Sequence, residues 1–162
     1  MSNRHTEMDV DPASVVADAD VLAADLLVGG PPRDALDHVR AHSWVKLVAS
    51  DHLLDDATGL IEQFANERLA EEWRARIERE RVSVEHPPDD HPALASAYRG
   101  KAAHVLSFDE RLNSAQAGAS LQSHVTVSVR HPNAFATVFD PESLYGVLHD
   151  GEYPGPDRDP RS

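Results

Sequence analysis

Apolar positions along the chain follow two alternating rhythms, and the alternation predicts a fold. Val15-Val16-Ala17 is a short continuous apolar run, and Val45 with Leu47-Val48-Ala49 is another. Runs this brief, with no polar alternation, predict strands buried on both faces. Val21 to Val28 is leucine-rich and is broken by Gly29-Gly30-Pro31-Pro32. Arg33 to His42 predicts a helix with Leu36 and Val39 inward. Leu53, Ala57, Leu60, Ile61 and Phe64 share one helical face, and Leu69, Trp73 and Ile77 continue at four-residue spacing until Pro87-Pro88 ends the run. Further along, the pattern predicts a short helix from Pro92 to Arg99 and a strand at His104-Val105-Leu106. A short helix from Glu110 to Ala115 and a last strand from Val125 to Val129 follow, then helices over Asn133 to Phe139 and Pro141 to His149. Short apolar strands separated by helices predict an α/β fold, three-layer α/β/α, with a central, mainly parallel sheet. Ligands in such sheets bind beyond the carboxyl ends of the strands, near the topological switch point.

The 162 residues suit one domain. Residues 1–12 are polar and acidic and are expected to form a disordered tail. Residues 13–150 are expected to form the domain. Residues 151–162, interrupted by Pro154, Pro156 and Pro160, are expected to form a second disordered tail. No apolar run approaches the roughly 20 residues of a membrane span, so no membrane partner is expected. The N-terminus lacks the basic-then-apolar pattern of a secretion signal, which points to a cytoplasmic protein. There is no cysteine, so disulfides, thiolate zinc sites and cysteine nucleophiles are excluded.

Charge changes the picture. The formal net charge is -13, and Lys46 and Lys101 are the two lysines. Many acids, few lysines and numerous alanines resemble a halophilic protein: a dense carboxylate surface stays hydrated, and its self-repulsion is screened when the Debye length falls to about 3 Å at 1 M salt. The same charge opposes a simple electrostatic grip on nucleic acid, an objection that weakens in strong salt.

Four segments deliver carboxylates towards one edge of the predicted sheet. Asp18 directly follows the first strand, with Asp20 two residues on. Asp55 and Asp56 are placed in the first turn after the second strand. Asp90 opens the alanine-rich helix, and Asp109 follows the strand ending at Leu106. A hard divalent cation such as Mg2+ or Mn2+ takes oxygen ligands of this kind and completes its shell with water and phosphate. Taken singly, Asp18, Asp90 and Asp109 each read equally as helix N-caps, where an acid also suits the helix dipole. Capping does not require them to follow buried strands or to converge.

At these residues the sequence resembles the PIN-domain nuclease family. Asp18-Ala19-Asp20-Val21-Leu22 is similar to that family's opening Asp-x-Asn-x-Leu, with Asp for Asn. Asp90-His91-Pro92-Ala93-Leu94-Ala95-Ser96-Ala97 is similar to its Asp-x-x-x-Ala-x-x-Ala helix. Leu106-Ser107-Phe108-Asp109 resembles its Leu-x-Thr-x-Asp, with Ser for Thr, and Val129 to Phe135 resembles its ending. The resemblance implies an endoribonuclease hydrolysing RNA phosphodiesters at an acidic Mg2+ or Mn2+ site. Asp18, Asp90 and Asp109 would be ligands there, Asp56 would complete the site or position water, Ser107 would support it, and Asp20 and Asp55 are possible additions. Asp56 stands for the family's Glu and is one methylene shorter, which bears on a second metal. The implied partners are RNA, an antitoxin-like or other protein, and a second copy in a homodimer. The alternative is a catalytically weak or inactive interaction module on the same fold, motivated by Asp56 and the acidic surface.

Other patterns were weighed against this one. Asp18-x-Asp20 is also similar to the phosphoaspartyl hydrolases, but Leu22 stands where those need Thr or Val. Asp34, His38 and His42 recur at four-residue spacing as zinc ligands do, yet read first as a solvated helix face. Glu67 to Arg81 mixes both signs at i,i+4 spacing and predicts a solvated helix, whose Arg74, Arg76, Arg79 and Arg81 are candidate phosphate contacts. His91, beside Asp90, is a candidate substrate contact.

Overall fold

The computed structural model describes residues 10–109, 112 and 127–161. The helix predicted over Glu110 to Ala115 falls almost wholly outside the described residues, as does the start of the last predicted strand.

Five strands form one sheet: β1 (Asp11–Ala17), β2 (Lys46–Ser50), β3 (Arg81–Val84), β4 (Ala102–Leu106) and β5 (Ser128–Arg130), in the order β3-β2-β1-β4-β5. Every pairing is parallel. Between and after them lie α1 (Ala19–Leu27), α2 (Gly30–Arg40), α3 (Asp51–Phe64), α4 (Glu67–Glu80), α5 (Pro92–Gly100), α6 (Pro132–Val138) and α7 (Pro141–Leu148). This is the expected three-layer α/β/α arrangement. Parallel strands need long crossovers, and the crossovers cover the sheet with helices. The central strands are accordingly the apolar runs: Val15, Val16, Val105 and Leu106 are fully buried, with Leu22, Leu53, Leu54 and Ile61 packed onto them. No helix among the described residues is long and apolar enough to cross a membrane.

β3 differs from the expectation. The sequence predicts a helical run that ends only at Pro87-Pro88, yet Arg81-Val82-Ser83-Val84 pairs with Leu47 to Ser50 of β2. The strand is short, mostly exposed and at the sheet edge. Its cause is pairing with β2, distant in sequence, which a local apolar pattern does not report.

Two glycine positions shape the crossovers. Gly29 and Gly30 have φ of 83° and 62°, which ends α1 and starts α2 at an angle closed to most side chains. Arg33 then reaches back to the Asp25 and Leu26 carbonyls, satisfying the open end of α1. At Gly100 a Cβ would stand 2.5 Å from Val48 Cγ1, so the last turn of α5 settles on β2 because no side chain intervenes.

The expected tails differ where they are described, residues 1–9 lying outside the described residues. β1 starts at Asp11, whose N–H donates to the Lys101 carbonyl at 2.7 Å. The segment after Gly151 lies against the end of α2. Asp157 accepts from Ser43 N–H at 2.8 Å, Arg158 donates to the His42 carbonyl at 3.0 Å, and Tyr153 Oη is 2.5 Å from His42 Nε2. His42 is therefore buried, not on a solvated face, and His38 packs on Phe135 and Phe139. Neither histidine is available as a zinc ligand with Asp34.

Candidate functional site

Strand order reverses direction at β1, so the crossovers leaving β1 and β4 diverge and leave a crevice at their carboxyl ends. Asp18 is the first residue past β1. Its N–H donates to the Leu106 carbonyl at 2.8 Å, which locks it against the end of β4. Its Oδ1 accepts from Ala19 N–H at 2.9 Å, making it the N-cap of α1. Its Oδ2 accepts from Ser107 Oγ at 2.9 Å. The fully buried Ser107 hydroxyl in turn accepts from Asp109 N–H at 3.0 Å. One hydroxyl thus ties the ends of β1 and β4 together, orienting the Asp18 carboxylate and fixing the Asp109 backbone. The capping and site readings of Asp18 coexist, one oxygen serving each.

Asp20 sits in the first turn of α1, half-buried, and its Oδ1 has no hydrogen-bond partner. Burial raises its carboxyl above the ordinary range, and the neighbouring charges of Asp18 and Asp109 add to the rise. The crevice therefore concentrates negative charge from both sides of the switch point.

The other predicted ligands are placed differently. Asp90 lies in the loop entering α5, at the same edge of the sheet, but its side chain is exposed. It does not open the helix: His91 does, its Nδ1 accepting from Ala93 N–H at 3.2 Å. Asp55 and Asp56 are in the second turn of α3, because that helix starts immediately at Asp51. Both are exposed, and Asp55 is paired with Arg74 at 2.8 Å. Among the described residues no three acidic or histidine side chains stand close enough together to enclose a metal ion. The structure brings Asp18, Asp20, Ser107 and Asp109 together; no contact among the described residues joins Asp56 or Asp90 to them.

A group unnoticed in the sequence adjoins this edge. Ser50 ends β2 and caps α3, accepting from Leu53 N–H at 3.1 Å. Its N–H donates to Ser96 Oγ at 3.2 Å, and its hydroxyl lies 2.8 Å from His86 Nε2. His86 Nδ1 lies 2.8 Å from the Pro87 carbonyl, which can only accept, so Nδ1 carries a proton. This buried network pins the loop bearing Asp90 to the end of β2. A polar pair inside a breaker-rich stretch, Glu85-His86-Pro87-Pro88, was its only trace in the sequence.

Three of the candidate phosphate arginines are engaged elsewhere, and Arg79 is exposed on α4. Arg74 pairs with Asp55 and Glu78, Arg76 with Glu80, and Arg81 with Asp51 and Glu78.

Fold and crevice together define the class: a parallel α/β domain with aspartates at its switch point. The chain belongs to a family of unknown function, DUF7384, whose match covers residues 9–161. No curated protein and no solved structure matches this chain.

Proposed function

We propose that the chain is a metal-dependent ribonuclease whose Mg2+ or Mn2+ is held in the β1/β4 crevice by Asp18, Asp20 and Asp109. The observation that carries this reading is Asp20 Oδ1, a buried carboxylate oxygen without a partner beside two further aspartates. That donor set is all hard oxygen, the chemistry such cations prefer. When bound, the cation supplies positive charge for the scissile phosphate and lowers the pKa of an attacking water. Ser107 fixes the Asp18 carboxylate and the Asp109 backbone, and loading requires the Asp20 and Asp109 carboxylates to close on the ion. Asp90, at the same edge, is a candidate for contact with substrate or with hydrated metal rather than a preformed ligand. The likeness of Asp18 to Leu22 and of Leu106 to Asp109 to PIN-domain motifs supports the same reading.

A second reading, an interaction module without catalysis, is favoured by the exposed Asp56 and by the pairing of Asp55 with Arg74. Cleavage of a panel of single-stranded and structured RNAs separates the two. In molar KCl with Mn2+, the folded protein is expected to cleave, chelator is expected to stop it, and Asp18→Asn is expected to lower the rate by about 100-fold or more. Absence of cleavage by folded protein across the panel would leave the interaction module standing. Cleavage undiminished in Asp18→Asn would assign the activity to a contaminant.

A further inference from the structure

A second concavity lies beside β5, lined by residues other than those of the aspartate crevice. It has a volume of about 420 Å3, within the range of small-molecule sites. Its walls are apolar: Pro12 at the start of β1, Phe135 and Val138 of α6, and Leu144 of α7. His104 and Arg130 form its polar part. Arg130 is in register with Leu106, two residues beyond His104 on β4, so the two side chains share one face of the sheet. Arg130 Nε and His104 Nδ1 are both buried, and neither has a hydrogen-bond partner. Arg130 Nε can only donate, and at the foot of an apolar groove it requires an acceptor that the described residues do not supply; the His104 ring beside it is hydrogen-bonded to the Pro12 backbone.

We propose that this groove binds an amphipathic monocarboxylate, its carboxylate against Arg130 and His104 and its hydrocarbon body along Phe135, Val138 and Leu144. A carboxylate offers an acceptor oxygen to Arg130 Nε and neutralises the guanidinium. Asp140 also lines the groove, but it is fully solvated and its oxygens are taken by Ser143 N–H at 3.2 Å and Ser143 Oγ at 2.8 Å. It leaves the foot of the groove cationic and disfavours a second negative group near the mouth, hence a monoanion. The aliphatic lining, with Val138 half-exposed at the rim, suits an alkyl or aryl tail over a sugar or phosphate.

Titration calorimetry of the full chain at fixed high KCl tests this with octanoate, 1-octanol and octylammonium as probes. Saturable one-to-one binding of octanoate is expected, at least about tenfold tighter than octanol, with no binding of octylammonium. Arg130→Gln is expected to weaken octanoate at least about tenfold while leaving octanol unchanged. Val138→Glu, on an exposed helix position, provides a second variant that places an acid in the wall and is expected to abolish octanoate binding. Melting curves establish that both variants are folded. The proposal is overturned if octanoate shows no saturation, if octanol binds as tightly, or if octanoate affinity survives in whichever variants fold.

Discussion

Two acidic regions of this molecule lie at neighbouring ends of the same sheet and have opposite electrostatics. Around α3, α4 and β3, acids are matched by arginine. Arg81, with its side chain 7% exposed, holds Asp51 at 2.5 Å and Glu78 at 2.6 Å, and donates to the Ala49 carbonyl at 2.9 Å. Arg74 adds Asp55 and Glu78. These hydrogen bonds and charges hold the Asp51 and Glu78 carboxyls below their ordinary ranges, Arg81 contributing most in both cases. In the β1/β4 crevice the Asp18 carboxylate accepts from a backbone N–H and the Ser107 hydroxyl, and Asp20 is shifted upward by burial and by the charge of Asp18. In a chain of net charge -13, with fifteen lysines and arginines, cations have gathered on a structural corner. Among the described residues, no arginine or lysine is paired with Asp18 or Asp20.

The sharpest way to break this comparison is to remove the matching cation. Arg81→Gln is expected to cost about 2 kcal/mol, the scale of charged hydrogen bonds lost from a nearly buried guanidinium. That corresponds to a fall of about 4–8 °C in Tm. The pH dependence has a definite sign. Asp51 and Glu78 have lowered values in the folded protein, so their contribution is present above the ordinary carboxylate range and fades as pH falls below about 4 to 5. The variant should therefore converge on wild type in acid. A constant gap between the two from pH 7 to pH 3 would show that the pairs contribute through packing alone.

The next perturbation acts on the crevice. Ser107→Ala leaves Asp18 Oδ2 and Asp109 N–H without their shared hydroxyl. Loss of an orienting partner of this kind typically costs about 10–100-fold in metal affinity. Titration with Mn2+, followed by the shift in Tm, reads it. Unchanged affinity in folded Ser107→Ala would mean the hydroxyl only joins β1 to β4 and does not prepare a site.

What was legible in the sequence divides along the same lines. Asp18, Ser107 and Asp109 directly follow buried strands, and a strand end fixes its next residues by local geometry. Asp56 is in the second turn rather than the first, and exposed, because α3 begins at Asp51 without an intervening turn. Asp90 does not open its helix because His91 takes the cap position, and the aspartate is exposed in the loop before it. β3 was hidden because its cause is pairing with β2, and the order of the sheet was not assigned from the sequence. The terminal segment reads as disordered from its Pro, Gly and Asp content. It docks through particular contacts, Tyr153 with His42 and Asp157 with Ser43, which composition does not encode.

The smallest expected effect discriminates most finely, because the two regions predict opposite signs for removing an acid. Asp20 has a raised value in the folded protein, first from burial and then from Asp18. The folded state therefore holds that proton more tightly than the unfolded one. The stabilisation from protonation is complete below the ordinary Asp range and is lost as pH rises through the raised value, so at neutral pH the ionised group is a net cost. Asp20→Asn removes the charge and is expected to stabilise the metal-free protein. The gain is at most about 1 kcal/mol, since solvent screens a half-exposed carboxylate, or about 2–4 °C in Tm. Asp51→Asn, on the arginine corner, is expected to destabilise. Molar KCl should shrink both differences by screening. With Mn2+ present the sign at Asp20 should reverse, because a ligand that binds only the folded state adds RT ln(1 + [L]/Kd) and the variant has lost a donor. Four melting curves decide it, wild type and Asp20→Asn each with chelator and with Mn2+. A variant no more stable than wild type in chelator, with the same response to Mn2+, would remove Asp20 from the site and leave the crevice an ordinary pair of helix and turn caps.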